Sequence, residues 1–199
     1  DPRLTVNAQM NEGVMSSKLG LTGWPAVAEE AIIARDILLA EHVDSRLHIC
    51  HLSTAGGVEL VRFAKSRGVK VTAEVTPHHL LLTEDLISNY DPIYKVNPPL
   101  RTEKDVLALR SALADGTIDI VATDHAPHPS EDKDCEWQAA AFGMLGLETA
   151  LSVVCKSMEN YKEFGWAQIS NVLSVNPAKI AGYKKHGNEV KVGSSANLT

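Results

Sequence analysis

Residues 69–76 read Val-Lys-Val-Thr-Ala-Glu-Val-Thr, an alternating and largely β-branched stretch that predicts a β-strand. Before it, the pattern predicts a helix from about Gly57 to Arg67, which follows a second short apolar strand at residues 47–52. Further upstream, the spacing of apolar residues in 27–43 predicts an amphipathic helix. The order on this side is therefore helix, strand, helix, strand.

The same alternation continues downstream of residue 76. Thr102, with Asp105 three positions later, is typical of a helix start, and this helix is expected to reach about Ala114. A third strand is predicted from Ile118 to Thr123, with another helix after it. Strands that alternate with helices in this way predict an α/β fold with a parallel sheet and crossover helices.

Composition narrows the class of protein. The 199 residues are 44% hydrophobic and 22% charged, with a formal net charge of −6 and no long run of one sign, so no nucleic-acid partner is expected. Apolar runs fall far short of a membrane span, and the first residues lack a signal-peptide layout. Three widely spaced cysteines fit reduced thiols. We expect a cytoplasmic protein without membrane contact.

Histidines are concentrated where the predicted strands end. Parallel sheets carry their chemistry at the carboxyl ends of strands and in the loops that follow. Six of the eight histidines lie on or just after the three strands: His48, His51, His78, His79, His125 and His128. This distribution points to a functional site at one edge of the sheet.

A metal site built from His51 and Asp124 is the hypothesis that follows. Neutral imidazole and carboxylate are usual ligands of catalytic zinc. Strand alternation places His51 on the opposite face from His48 and Cys50, so only one of the two histidines is expected to reach the site. Asp124 could instead cap a turn, but residues 124–128 (Asp-His-Ala-Pro-His) gather a carboxylate and two imidazoles on a proline-stiffened turn.

Other polar positions keep two interpretations. His78 and His79 precede three leucines and could simply pack, whereas Asn97 precedes two prolines and fits an ordinary turn role equally well. Glu74 lies inside a strand and could be a buried, paired carboxylate or face solvent. Gly143 is expected to punctuate a loop, because no phosphate-binding glycine spacing is present.

Four motifs in order resemble the later half of bacterial-type (class I) dihydroorotases of the amidohydrolase superfamily. They are residues 72–80 (Thr-Ala-Glu-Val-Thr-Pro-His-His-Leu), 95–101 (Lys-Val-Asn-Pro-Pro-Leu-Arg), 115–119 (Asp-Gly-Thr-Ile-Asp) and 122–128 (Ala-Thr-Asp-His-Ala-Pro-His). The resemblance implies a (β/α)8 TIM barrel with one or two zinc ions. Residues 1–185 would then supply strands six to eight, and residues 186–199 would begin a small C-terminal β segment.

The resemblance also implies individual roles. His51 would be the metal ligand on strand six, and Asp124 would be the ligand on strand eight that shuttles a proton between the attacking hydroxide and the amide nitrogen. The positions expected to hold the substrate's ring and carboxylate are Asn97, His128, Phe142 and Gly143. The family's ligands on strands one, four and five have no counterpart in this chain, so the isolated chain is expected to be inactive.

Two classes of function remain open. The first is a cyclic amidohydrolase that interconverts N-carbamoyl-L-aspartate and (S)-dihydroorotate in pyrimidine synthesis, with dihydropyrimidinase, hydantoinase and allantoinase as near alternatives. The second is a non-catalytic half-barrel or degenerate homologue that acts as an assembly partner. The resemblance implies association as a homodimer or with aspartate transcarbamoylase.

Overall fold

The computed structural model describes residues 1–196, and within them the chain forms five strands and nine α-helices. In chain order they are β1 (Met10–Asn11), α1 (Val14–Leu19), β2 (Gly23–Trp24), α2 (Val27–His42), β3 (Leu47–Ile49), α3 (Ala55–Ser66), β4 (Val71–Val75), α4 (Pro77–Leu81), α5 (Glu103–Ala114), β5 (Ile120–Val121), α6 (Ser130–Lys133), α7 (Ala150–Met158), α8 (Trp166–Ser170) and α9 (Asn176–Ala181). Turns of 3₁₀ helix occur at Pro2–Leu4, Glu84–Asn89 and Pro92–Tyr94, and a π-helical turn occurs at Asn171–Val175.

The main sheet consists of β3, β4 and β5, in that order and all parallel. The predicted parallel α/β arrangement is therefore confirmed, with β4 at the centre and crossover helices α3 and α5 between consecutive strands. The predicted capping box of α5 is present, because the Asp105 carboxylate accepts the Thr102 N–H at 3.2 Å. Because the three strands are parallel, their carboxyl ends lie along the same side of the sheet.

The two faces of this sheet differ in character. Val71, Ala73 and Val75 of β4 are buried in the hydrophobic core against α2, α3, α5 and α7. The intervening Thr72 and Glu74 are only partly buried and lie on the other face, in register with His48 and Ile120 respectively. Period-two alternation thus directs apolar residues toward the helices and polar ones toward the opposite face.

A second, two-stranded parallel sheet pairs β1 with β2 and has no counterpart in the sequence-based expectations. Arg101 joins it to the main body, and its side chain is only 1% exposed. The guanidinium donates to Asn11 Oδ1 and the Trp24 carbonyl, both at 2.8 Å, and to Ser53 Oγ at 3.1 Å. Strands of two residues carry no readable period, which explains why sequence patterns did not reveal them.

Observed strands are shorter than predicted. The first was expected over residues 47–52 and ends at Ile49, whereas the third was expected from Ile118 to Thr123 and covers only Ile120–Val121. Residues 186–196 form turns and bends, and residues 197–199 of the predicted C-terminal β segment lie outside the described residues. Within residues 1–196, none of the helices combines the length and apolar character that crossing a bilayer requires.

Candidate active site

His51 and Asp124 follow β3 and β5 at the same edge of the sheet, separated by β4. The predicted order of these strands is confirmed, whereas the ligand role of the two side chains stays a prediction. Both residues have left-handed backbone conformations, with φ of 36° at His51 and 46° at Asp124. Such angles are uncommon outside glycine and cluster at functional sites.

Alternation along β3 holds only as far as the strand itself. Ile49 belongs to the core cluster, and His48 lies on the opposite face. His51 is two residues beyond the strand end and has positive φ, so the period-two argument does not determine its direction. Its backbone N–H donates to Glu74 Oε1 at 3.2 Å, which ties the residue to the central strand.

Glu74 is a paired carboxylate, which decides between its two sequence interpretations. Its side chain is 14% exposed, and its Oε2 lies 2.9 Å from His48 Nε2. The other ring nitrogen of His48 lies 2.7 Å from Thr72 Oγ1. Cys50 adjoins this pair, and partial burial raises the pKa of its thiol, with further increases from the negative charges of Glu74 and Asp124.

Three of the four expected substrate-binding residues meet in one loop contact. His128 Nε2 donates to the Phe142 carbonyl at 2.9 Å. A Cβ on Gly143 would lie 2.8 Å from His128 Nε2 and 2.8 Å from Ala126 Cβ, and Gly143 has φ of 141°. Glycine at this position permits the close approach of two loops, a role beyond that of an ordinary loop residue. Asn97 is exposed and lies outside this contact.

The turn at residues 124–128 is supported by the chain itself. His125 Nδ1 accepts the backbone N–H groups of Gly146 and Leu147, both at 3.2 Å. His125 also forms an isolated parallel bridge with Met144. His125 and His128 therefore both organise the neighbouring loop.

Two lysines that sequence reasoning missed hold this loop in place. Lys133 Nζ donates to the carbonyls of Gly143, Ala141 and Lys95 at 2.9, 3.0 and 3.2 Å. Lys95 is buried, donates to the Trp137 carbonyl at 2.7 Å, and lies 4.6 Å from the centre of the Phe142 ring. Burial lowers the pKa of both ammonium groups. Nothing in the local sequence marks Lys95 as buried or Lys133 as partly buried.

His78 and His79 are buried in α4, as the packing interpretation expects, but their surroundings differ. His79 Nε2 lies 3.1 Å from the Pro98 carbonyl, so this nitrogen carries the hydrogen and Nδ1 accepts from Thr76 Oγ1 at 2.7 Å. His78 Nε2 is buried without a hydrogen-bond partner. Burial lowers the pKa of His78 to about 4, with a smaller contribution from nearby His51.

Three of the predicted site residues, His51, His128 and Gly143, line two separate concavities. A groove of about 340 Å³ runs beside β3 and is lined by His48, Cys50, His51 and Pro98 together with residues of α2. A second cavity of about 390 Å³ is lined by His128 and Gly143 with mainly apolar neighbours, among them Tyr94 and Met144. Both volumes fall within the range of small-molecule pockets.

Residues 8–199 match the model of the amidohydrolase family. Over its full length the chain is 70% identical to a dihydroorotase from Streptomyces coelicolor, covering 46% of that protein, and 54% identical to one from Mycobacterium tuberculosis, also covering 46%. Among solved structures, it resembles L-hydantoinase from Arthrobacter aurescens with a TM-score of 0.79 and 35% identity, covering 87% of this chain and 39% of the other. The chain spans about half the length of the curated relatives it matches.

Proposed function

Because the chain belongs to the amidohydrolase family, we propose that the protein carrying it is a zinc-dependent cyclic amidohydrolase that interconverts N-carbamoyl-L-aspartate and (S)-dihydroorotate. The observation that carries the proposal is that His51 and Asp124 follow parallel strands at one edge of the sheet. The name of the curated relatives supports the choice of substrate. Activity is assigned to the full-length protein, and residues 1–199 alone are expected to be inactive.

The proposed architecture is a (β/α)8 barrel in which β3, β4 and β5 are strands six to eight. In the described residues, β3 and β5 each pair only with β4, so each leaves one edge available to a further strand. The polar face carrying His48 and Glu74 would then be the barrel interior, since the helices pack on the opposite face. The remaining strands would come from residues outside this chain.

The donor set at the sheet edge fits zinc. His51 offers an imidazole and Asp124 a carboxylate, which are the ligand types that catalytic zinc uses, and further ligands would come from outside this chain. Bound there, one or two zinc ions would activate a water and polarise the ring carbonyl. The strained backbone at both residues supports a functional rather than a packing role.

Asp124 is proposed as the catalytic acid–base group. Its exposed carboxylate can accept a proton from the attacking water and return it to the leaving amide nitrogen. Asp124 would therefore serve both steps of the hydrolysis, because it removes the proton of the attacking water and then protonates the leaving nitrogen. The reverse reaction, ring closure, uses the same steps in the opposite order.

His128 and Asn97 are proposed to bind the substrate carboxylate, with Phe142 and Gly143 against the ring. His128 Nε2 already donates to the Phe142 carbonyl, so the free nitrogen, Nδ1, can donate to a carboxylate only when the imidazole is protonated. A charged imidazolium is also the stronger partner for an anion. Recognition of the carboxylate would therefore require the protonated form of His128.

The decisive experiment measures hydrolysis of dihydroorotate, dihydrouracil, hydantoin and allantoin by the zinc-loaded full-length protein. Preference for dihydroorotate is expected. The similarity to L-hydantoinase makes turnover of a ring without a carboxylate the main alternative outcome, and it would reassign the substrate. If the protein turns over none of these rings, the assembly-partner role is the remaining candidate. Light scattering and co-purification with aspartate transcarbamoylase would test that role.

Cytoplasmic localisation remains a prediction that cell fractionation can check.

A further inference from the structure

Three side chains with metal-binding atoms lie together on the polar face of the main sheet. His48, Cys50 and Glu74 each contribute one ligand atom, and these atoms lie within 4.8 Å of one another. In the part of the chain that the structure describes, this is the one group of three or more such side chains that meets this criterion. The grouping follows from strand register, since His48 pairs with Thr72 and Glu74 is two residues further along the same face.

Neighbouring contacts hold two of the three side chains in position. His48 Nδ1 is hydrogen-bonded to Thr72 Oγ1 at 2.7 Å, which orients Nε2 toward Glu74 Oε2 at 2.9 Å. Glu74 Oε1 accepts the His51 N–H at 3.2 Å, so the other carboxylate oxygen is the one left for His48. A ligating histidine held through its second nitrogen is the usual arrangement around bound metals.

We propose that His48, Cys50 and Glu74 form a second zinc site, distinct from the one assigned to His51 and Asp124. A nitrogen, a sulfur and a carboxylate oxygen together match the ligands that zinc prefers, at bonding distances of about 2.0–2.3 Å. One ion placed between ligand atoms that lie within 4.8 Å of one another could contact all three at these bonding distances after side-chain rotation. The nearby Asp124 carboxylate adds negative charge around Cys50, which favours a bound cation.

Access and coordination number are consistent with a metal that can exchange. Cys50 is exposed, and the groove beside β3 is lined by both Cys50 and His48. Three protein ligands leave a position for water or for a side chain from outside this chain. Because none of the three residues is assigned a step in the proposed amidohydrolase reaction, this inference can fail or hold independently of that reaction.

The simplest competing explanation is a hydrogen-bonded His48–Glu74 pair with Cys50 as a bystander. That arrangement needs no metal and gives no bond between a metal and sulfur. The two cases differ in the spectrum of the protein after its zinc is replaced by cobalt, because only thiolate ligation produces a sulfur-to-cobalt charge-transfer band in the near ultraviolet. The position of Cys50 in the cluster is therefore the feature to test.

The experiment uses the full-length protein, stripped of metal and reloaded with Co²⁺. A charge-transfer band is expected in the unsubstituted protein and in the matched controls Cys135→Ser and Cys155→Ser. Cys50→Ser should abolish the band and lower the metal content by one equivalent per chain, and Glu74→Gln should weaken Co²⁺ binding at this site by at least about tenfold. A missing band in the unsubstituted protein, or one that survives Cys50→Ser, would overturn the proposal.

A second measurement uses only the unsubstituted protein, so it does not depend on whether a variant folds. Zn²⁺ should slow alkylation of Cys50 by iodoacetamide at least about tenfold, because a metal-bound thiolate is shielded from reagent, while alkylation of Cys135 continues unchanged. Peptide mass spectrometry follows each cysteine separately. Equal alkylation of Cys50 with and without Zn²⁺ would contradict the site even if the amidohydrolase assay succeeds.

Discussion

His51 and Asp124 occupy equivalent positions around the central strand, each two or three residues beyond the end of a neighbouring parallel strand and each with positive φ. A left-handed conformation costs a non-glycine residue roughly 1–2 kcal/mol, so two such residues at one sheet edge require compensation from their surroundings. Part of that compensation is the hydrogen bond from the His51 N–H to Glu74. The shared geometry makes these two residues the first targets for mutation.

Asp124→Asn tests the proton-transfer role. The amide keeps the shape of the side chain but cannot accept a proton, so kcat for dihydroorotate hydrolysis should fall by roughly 10²–10⁴-fold in the full-length protein. Metal content must be measured for each variant, since Asp124 is also a proposed ligand. Asp132→Asn, an exposed carboxylate further along the chain, serves as the control and should leave kcat unchanged. A metal-replete Asn variant with near-normal kcat would remove Asp124 from proton transfer.

His128→Ala and Asn97→Ala test substrate selection. Each should reduce kcat/KM for dihydroorotate much more than for a ring without a carboxylate, because the lost donor leaves the bound anion poorly paired. The expected difference between the two substrates is on the order of tenfold or more, from a loss of about 1.5–3 kcal/mol for a hydrogen bond to a charged group. Equal losses on both rings would indicate that these residues support the loop rather than recognise the carboxylate.

Gly143→Ala tests the close approach of the two loops. The new Cβ would meet the Ala126 carbonyl oxygen at 2.9 Å and would require φ of 141°, which an alanine rarely adopts. We expect a loss of roughly 1–3 kcal/mol in unfolding free energy, measured by urea denaturation. Gly20→Ala is the matched control, because Gly20 also has positive φ but open space around its Cβ position. A smaller loss at Gly143 than at Gly20 would contradict the close packing of Gly143 against Ala126.

The buried His78 predicts a pH-dependent stability in the metal-free protein. Its pKa is about 4 in the folded state against an ordinary value of 6.5, so the unfolded state binds more protons between these values. The contribution of His78 is therefore complete above pH 6.5 and declines as the pH falls toward 4, by up to about 3 kcal/mol.

His78→Leu should remove this part of the pH dependence in the chelator-treated protein, as followed by urea unfolding midpoints from pH 7 to about 4. His79, which is also buried and has a lowered pKa, adds a slope of the same sign that remains in the variant. His186→Leu is the control, since His186 is exposed. If His78→Leu and His186→Leu show the same pH profile as the unsubstituted protein, His78 does not titrate as described.

Local patterns in the sequence were sufficient for the framework of the fold. Alternation in residues 69–76 predicted the central strand, and the Thr102–Asp105 pair predicted the start of α5, because strand faces and helix caps depend on residues close together in the chain. Strand order and the shared edge followed from the α/β alternation. The sequence by itself thus determined which residues could meet at that edge.

Contacts between distant segments were decided only by the tertiary structure. Whether Glu74 pairs with His48 depends on the register of two strands, and whether His128 meets the Phe142 carbonyl depends on how two loops pack. Arg101 reaches Asn11 across 90 positions of sequence, and Lys95 is buried although lysine is usually exposed. Such contacts cannot be predicted from the periodicity of a short segment, because they depend on how many elements pack together. Residue types and strand ends can therefore be predicted from the sequence, whereas the partners of each polar side chain require the folded chain.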